Sequence, residues 1–236
     1  KLDEFSEWLK AINTVEMIRL LDFSLGQGGL VKGEKIISTL LALTGDSLIE
    51  DLPISFTAVA ADVANEKEVW LSRGPLFDAI RASISLPLLF TPVERRGVKL
   101  QDGGILNPVP IAPTFGDHTD LTIAVNLSGP PDSSLNQPVA KPLEKDETSS
   151  IFVQRVAGFI DTIMPATQAQ SSISMYAIAY QAVDAMQGTI ARQKLAAYPP
   201  DLVIELPRNV CGTLEFDRAE EMIEFGYRLA QQQIPE

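Results

Sequence analysis

Cysteine and histidine are nearly absent from this chain of 236 residues, which holds one of each. With Cys211 alone, neither a disulfide framework nor a cysteine-built zinc site can form within one chain. That scarcity fits a reducing, cytoplasmic setting. With His118 alone, a metal centre built on several histidines is impossible, and no metal or cofactor is expected. His118 lies in the polar turn Gly116-Asp117-His118-Thr119-Asp120, which reads as solvated loop, so a hydrolase built on this chain would take a carboxylate as its base. Long apolar runs are missing too. Residues 36–43 are interrupted by Ser38 and Thr39 and are too short to span a bilayer. Basic residues are few: 19 lysines and arginines face 31 aspartates and glutamates, a net charge of −12. No basic face is available for nucleic acid, and anionic lipid headgroups would repel the chain. Contact with a membrane would be at most peripheral and would rest on apolar groups.

What remains is the composition of an ordinary globular protein, 45% hydrophobic and 21% charged. The chain opens Lys1-Leu2-Asp3, and Leu2, Phe5, Trp8, Leu9 and Ile12 recur at helical spacing with no leading cap. That start is expected to be an edge cut from something longer. A short helix is expected at 15–21, a loop at 24–29 and a helix at 33–43 that stops at Thr44-Gly45-Asp46. Residues 54–63 and 67–71 read as strands, and Pro75 as the first residue of a helix. A short strand follows at 97–101. Residues 121–127, apolar on both faces, are expected in the middle of a covered sheet. Residues 129–150 carry four prolines with few apolar anchors and are expected to form a mobile loop or lid. Helices at 151–164 and 168–197, a strand at 202–206 and a helix at 216–233 complete the chain. Alternating strands and helices, with no domain linker beyond residues 129–150, point to one α/β domain over residues 1–236.

Several candidates for chemistry fail on context. Gly26-Gln27-Gly28-Gly29 follows no buried strand and leads into Lys32-Gly33-Glu34, so it is not a phosphate loop. Asp217, Glu220, Glu221 and Glu224 share a helix face, where they read as solvated surface. Ser83 and Ser85 lie at a helix-to-loop junction without flanking glycines and read as structural or pocket-lining. The stretch Leu100-Gln101-Asp102-Gly103-Gly104 is different. An aspartate between a short strand and two glycines can project from a strand end, where ligands of open α/β sheets bind. The glycines let the chain turn and leave open space beside the carboxylate. Asn107 is expected to fix the following loop by local hydrogen bonds.

The order of segments around that turn resembles the patatin-like phospholipase family, in its bacterial branch. The matching segments begin with Gly33-Glu34-Lys35, then Asp51-Leu52-Pro53-Ile54-Ser55-Phe56, and Asp62 at a strand end. Ala79-Ile80-Arg81-Ala82-Ser83 with Pro87 beyond, and Pro92-Val93, come next. Asp102-Gly103-Gly104 with Asn107-Pro108-Val109-Pro110, and Asp217-Arg218-Ala219, complete the set. The resemblance implies a layered α/β/α hydrolase fold with a central, mostly parallel sheet, its N-terminal part missing here. It implies a serine–aspartate dyad acting on lipid acyl esters, with Asp102 as the base and Gly103, Gly104 and Asn107 supporting the motif. The glycine-rich oxyanion loop and the Gly-x-Ser-x-Gly elbow that the resemblance also implies are not among these residues, so the nucleophile is expected upstream of Lys1. The alternative is a catalytically inactive member of the same fold, serving regulation or interaction. The coding sequence ahead of Lys1 discriminates the two.

Overall fold

A computed structural model describes residues 2–12, 16, 19–22, 24, 29–135, 166–212 and 215–234. Its elements begin with helix α1 (Leu2–Ala11), strand β1 (Gly29–Val31), helix α2 (Glu34–Thr44), strands β2 (Ala58–Asp62) and β3 (Lys67–Leu71), and helix α3 (Leu76–Ser83). There follow β4 (Leu88–Phe90), β5 (Val93–Arg95), β6 (Val98–Asp102), β7 (Ile123–Gly129), the long helix α4 (Ala166–Ala197), β8 (Leu202–Pro207) and helix α5 (Ala219–Gln233). The class is α/β. Two compact units divide the chain: Leu20–Ala124 with Met186–Val203, and Leu2–Arg19 with Val125–Ala185 and Ile204–Glu236. The expected loop at 25–28, most of the expected lid at 129–150 and the expected helix at 151–164 lie outside the described residues.

In the first unit four strands form a sheet in the order β3-β2-β6-β5, all antiparallel, while β1 and β4 pair in parallel beside Thr91. Asp62 and Asn65 close the β2–β3 hairpin: the Asp62 carboxylate accepts from the Asn65 backbone N–H (3.2 Å) and side-chain amide (2.7 Å). Side chains alternate between faces along each strand. Ala58, Ala60, Leu71 and Leu100 therefore share one face, which buries against Ala79 and Ala82 of α3. These alanines have almost no accessible surface because strand and helix backbones approach closely there. The opposite face carries Ala61 with its cross-strand neighbours Glu68 and Gln101, and Lys194, near the end of α4, reaches Glu68 on that side. A second small core joins Val109, Ile111 and Ala124 to Ala191 of α4. Helix thus lies on both sides of the sheet.

A half-buried guanidinium ties α3 to the chain around it. Arg81 donates to Ser85 Oγ (2.7 Å), to the Thr91 carbonyl (2.9 Å) and to the Lys32 carbonyl, and it lies over the Phe90 ring. The reach of the strands differs from expectation at two places. Residues 54–57 stay outside β2, because Pro53 and the turn Ile49–Asp51 precede it. In β7 the residues alternate, with Ala124 and Asn126 buried and Ile123, Val125 and Leu127 exposed, so only one face is covered among the described residues. Asn126 belongs inside because its amide donates to Glu205 Oε1 (3.0 Å) and its oxygen accepts from the Ser128 N–H (3.0 Å). β7 pairs with β8. Thr122 O accepts from the Asp201 and Leu202 N–H groups, and Gly129 O from Arg208, so the two strands run parallel.

In the second unit, α1 packs with α5. Arg218, just before α5, bridges Glu215 (2.6 Å) and Glu221 (2.5 Å). Asn209 fastens the chain after β7 by exchanging hydrogen bonds with the Asp132 backbone, both 2.9 Å. Among the described residues no helix is long and apolar enough to cross a membrane.

Candidate active site

Asp102 is the last residue of β6, opposite Ala60 in the centre of the four-stranded sheet. Its N–H donates to the Ser85 carbonyl at 2.9 Å, which anchors the strand end from the side of α3. Its carboxylate accepts the Gly104 N–H at 2.6 Å through Oδ1, the local bond that an aspartate at a turn entrance makes readily. A single 3₁₀ turn, Gly103–Ile105, follows, and the Gly103 carbonyl accepts from both Leu106 (3.1 Å) and Asn107 (2.8 Å). Burial raises the Asp102 pKa above the ordinary carboxylate value, and the Gly104 hydrogen bond opposes that only in part.

The two glycines serve different purposes. Neither has a positive φ, so the turn does not demand their backbone freedom. A Cβ on Gly103 would lie 2.7 Å from the Val59 carbonyl carbon and nearer still to its oxygen; the residue is glycine because two backbones touch. A Cβ on Gly104 would lie 2.9 Å from Asp102 Oδ1 and 2.9 Å from Gln187 Nε2. At Gly104 the absence of a side chain lets the Asp102 carboxylate and the Gln187 amide come close to the turn.

A cavity of about 410 Å³ opens at this turn. Phe56, Ile80, Ile84 and Pro110 give it apolar walls, and Asp102 and Asn107 supply its polar end. Ser83 also lines it, but its hydroxyl is committed to the Val59 carbonyl (2.7 Å). Ser85 is wholly buried, with its hydroxyl donating to the Arg81 carbonyl (2.8 Å). Neither serine presents a free hydroxyl. His118 is an exposed turn residue with φ +51°. Among the described residues no cluster of histidine, cysteine, aspartate and glutamate could hold a metal ion. Cys211 is pushed up to about 11, chiefly by burial, which makes it a poor nucleophile.

Asn107 is 3% exposed and holds the loop in two ways. Its backbone N–H makes a local bond to the Gly103 carbonyl. Its side chain reaches much farther: Nδ2 donates to Glu68 Oε2 at 3.0 Å. Glu68 also accepts from Lys194 Nζ (2.7 Å) and Trp70 Nε1 (3.2 Å). Burial pushes the Glu68 pKa up, but these hydrogen bonds and the Lys194 charge outweigh it and hold the group below its ordinary value. Sequence reasoning missed Glu68 and Lys194. The available signal was weak: Gln187, Ala191 and Lys194 recur at helical spacing, which any packed helix shows.

Comparison with known proteins bears on this geometry. The profile of a family described as patatin-like phospholipase matches residues 2–115. An uncharacterized NTE family protein of Mycobacterium tuberculosis is 36% identical over 279 aligned positions, covering 99% of this chain and 78% of that protein. A second NTE family protein of the same organism is 34% identical over 106 residues, covering 45% of this chain and 18% of its own length. A Pyricularia oryzae protein named lysophospholipase NTE1 is 25% identical over 211 residues, 88% of this chain and 13% of that protein.

Proposed function

The chain belongs to the patatin-like phospholipase family, within its NTE relatives, and from that premise we propose that it carries the base of a serine-dependent lipid acyl hydrolase. Asp102 is that base. The nucleophilic serine and the oxyanion donors come from residues outside these 236. One observation carries the reading: a partly buried carboxylate stands at a strand end, at the polar end of an apolar-walled cavity.

The chemistry follows from the Asp102 surroundings. Oδ1 is held by the Gly104 N–H, which orients the carboxylate and leaves Oδ2 to face a reacting hydroxyl. As a serine oxygen attacks the ester carbonyl, Oδ2 takes its proton and then gives it to the departing alcohol. In the second half-reaction the same oxygen takes a proton from water as it attacks the acyl carbon, and returns it to the departing serine oxygen, which restores both groups. A raised pKa suits both halves, because a stronger base accepts the proton more readily. The apolar walls suit a hydrocarbon tail. The name of the fungal relative makes monoacyl phospholipids the first substrates to test. Approach to a lipid surface is peripheral and apolar in this reading.

The decisive experiment measures acyl-ester hydrolysis by the whole protein and by its Asp102→Asn variant. We expect kcat to fall by about 10²–10⁴-fold, the usual contribution of a positioned base, with the variant still folded. Undiminished turnover in the variant would overturn the assignment of the base, and no turnover by the whole protein would favour a non-catalytic, interaction role. The chain of residues 1–236 by itself is expected to hydrolyse nothing by this route.

A further inference from the structure

We propose that Glu68 and Lys194 are positioning residues for the base: their ion pair fixes Asn107, and Asn107 fixes the turn that carries Asp102. This rests on the reading of Asp102 as the base.

Glu68 cannot act on Asp102 directly. Glu68 stands opposite Ala61, and Asp102 opposite Ala60, so the two carboxylates emerge on opposite faces of the sheet. The connection between them is the loop. Asn107 is clamped by its N–H to the Gly103 carbonyl (2.8 Å) and by its amide nitrogen to Glu68 (3.0 Å). Its amide oxygen is buried and has no partner among the described residues. The bond to Glu68 is therefore the one side-chain hydrogen bond found there for Asn107. Without it both ends of a buried amide would lack partners, and the loop would move to satisfy them.

The pair is arranged to hold a direction. Both Glu68 oxygens are used: Oε1 takes Lys194, and Oε2 takes Asn107 and Trp70. The side chains of Lys194 and Glu68 are 26% and 22% exposed. A pair at that depth is weak evidence of stabilisation, because desolvation offsets most of the attraction. Its placement says more. Along one face of α4, Gln187 lies beside Gly104, Ala191 packs on Val109 and Ile111, and Lys194 closes on Glu68. One helix face thus backs the turn from Gly104 to Ile111.

A base displaced by about 1 Å loses on the order of a hundredfold in rate while binding survives. The test uses the whole protein and compares Glu68→Leu, Lys194→Met and Lys194→Arg with Asp102→Asn, reading kcat, KM and thermal midpoint. We expect kcat to fall about 10–100-fold in E68L and K194M with KM changed less than about twofold. K194R, which keeps the charge, should stay within about threefold of the parent. A fully active K194M beside an inactive D102N would overturn this inference and leave the base assignment standing. Losses that follow the thermal midpoint and are not rescued by K194R would also overturn it. An active D102N would remove the base assignment and this inference with it. Should E68L fail to fold, the two Lys194 variants decide the matter.

Discussion

As the proposed base, Asp102 would link activity and stability through one protonation. In its proposed role as base it must be ionised, so the rate should fall as pH drops through its pKa, which burial raises above the ordinary carboxylate value. For stability the sign is reversed. Between the unfolded value and the raised folded value the native state binds more protons than the unfolded chain, so stability declines as pH rises through that window. Above the window the penalty of a buried charge persists. Asp102→Asn removes the charge and keeps an oxygen to accept the Gly104 N–H. D102N should therefore melt at a higher temperature than the parent at neutral pH, with the difference vanishing below about pH 3, where the aspartate is neutral in both states. Thermal scans across pH check this, and a lower melting point at pH 7 would contradict it. The neighbouring glycines give a second contrast. Gly103→Ala drives a methyl into the Val59 carbonyl and should destabilise the fold by about 1–3 kcal/mol or more. In Gly104→Ala the methyl meets the movable ends of Asp102 and Gln187. G104A should keep its stability within about 1 kcal/mol while losing turnover. Denaturation curves read beside kcat separate the two outcomes.

Two helices of the first unit are tied to residues distant in sequence. Helix α2 begins after Gly33, which has φ +77° and no side chain to cap the helix. Asp22 supplies the cap instead: its carboxylate accepts from the N–H groups of Gly33 (2.6 Å), Glu34 (2.8 Å) and Lys35 (3.3 Å). Negative charge there also suits the helix dipole. Asp22→Ala should lower stability by about 1–2 kcal/mol in chemical denaturation, and Asp22→Asn by less, because it still offers one acceptor. At the end of α3, Arg81 gathers Lys32, Ser85 and Thr91 into one network, and the Ser85 carbonyl in turn holds the Asp102 N–H. A half-buried arginine is tolerated there because backbone carbonyls satisfy it.

Across the whole chain the dominant long-range property is a charge of −12. Such a field repels an anionic membrane and is screened by salt. If the substrate is a lipid, turnover on vesicles rich in anionic lipid should increase as salt is raised from about 10 to 150 mM, over which the Debye length falls from about 30 to 8 Å. Turnover on neutral zwitterionic vesicles should change less than twofold. A rate on anionic vesicles that is highest at low salt would show a basic contact elsewhere in the whole protein.

The α/β class, the position of most elements and the Asp102-Gly103-Gly104 turn were legible in the sequence. Periodicity and turn chemistry are local, and both survive folding largely intact. Helix α4 was expected from residue 168 and begins at Ala166; the strand ahead of the turn was expected at 97–101 and is Val98–Asp102. Contacts between distant segments were not legible. Nothing local told that Gly103 is glycine because Val59 touches it, that Asp22 caps a helix eleven residues on, or that Asn107 reaches to Glu68 and Lys194. The one-sided burial of β7 was likewise decided by packing, since an apolar residue looks the same in sequence on a covered face and an open one. The sequence by itself determined which carboxylate stands at the strand end, because a strand followed by two glycines is written in consecutive residues. Only the tertiary structure decided what holds that carboxylate in place, because its supports lie up to about a hundred residues away and meet only when the sheet and its helices pack.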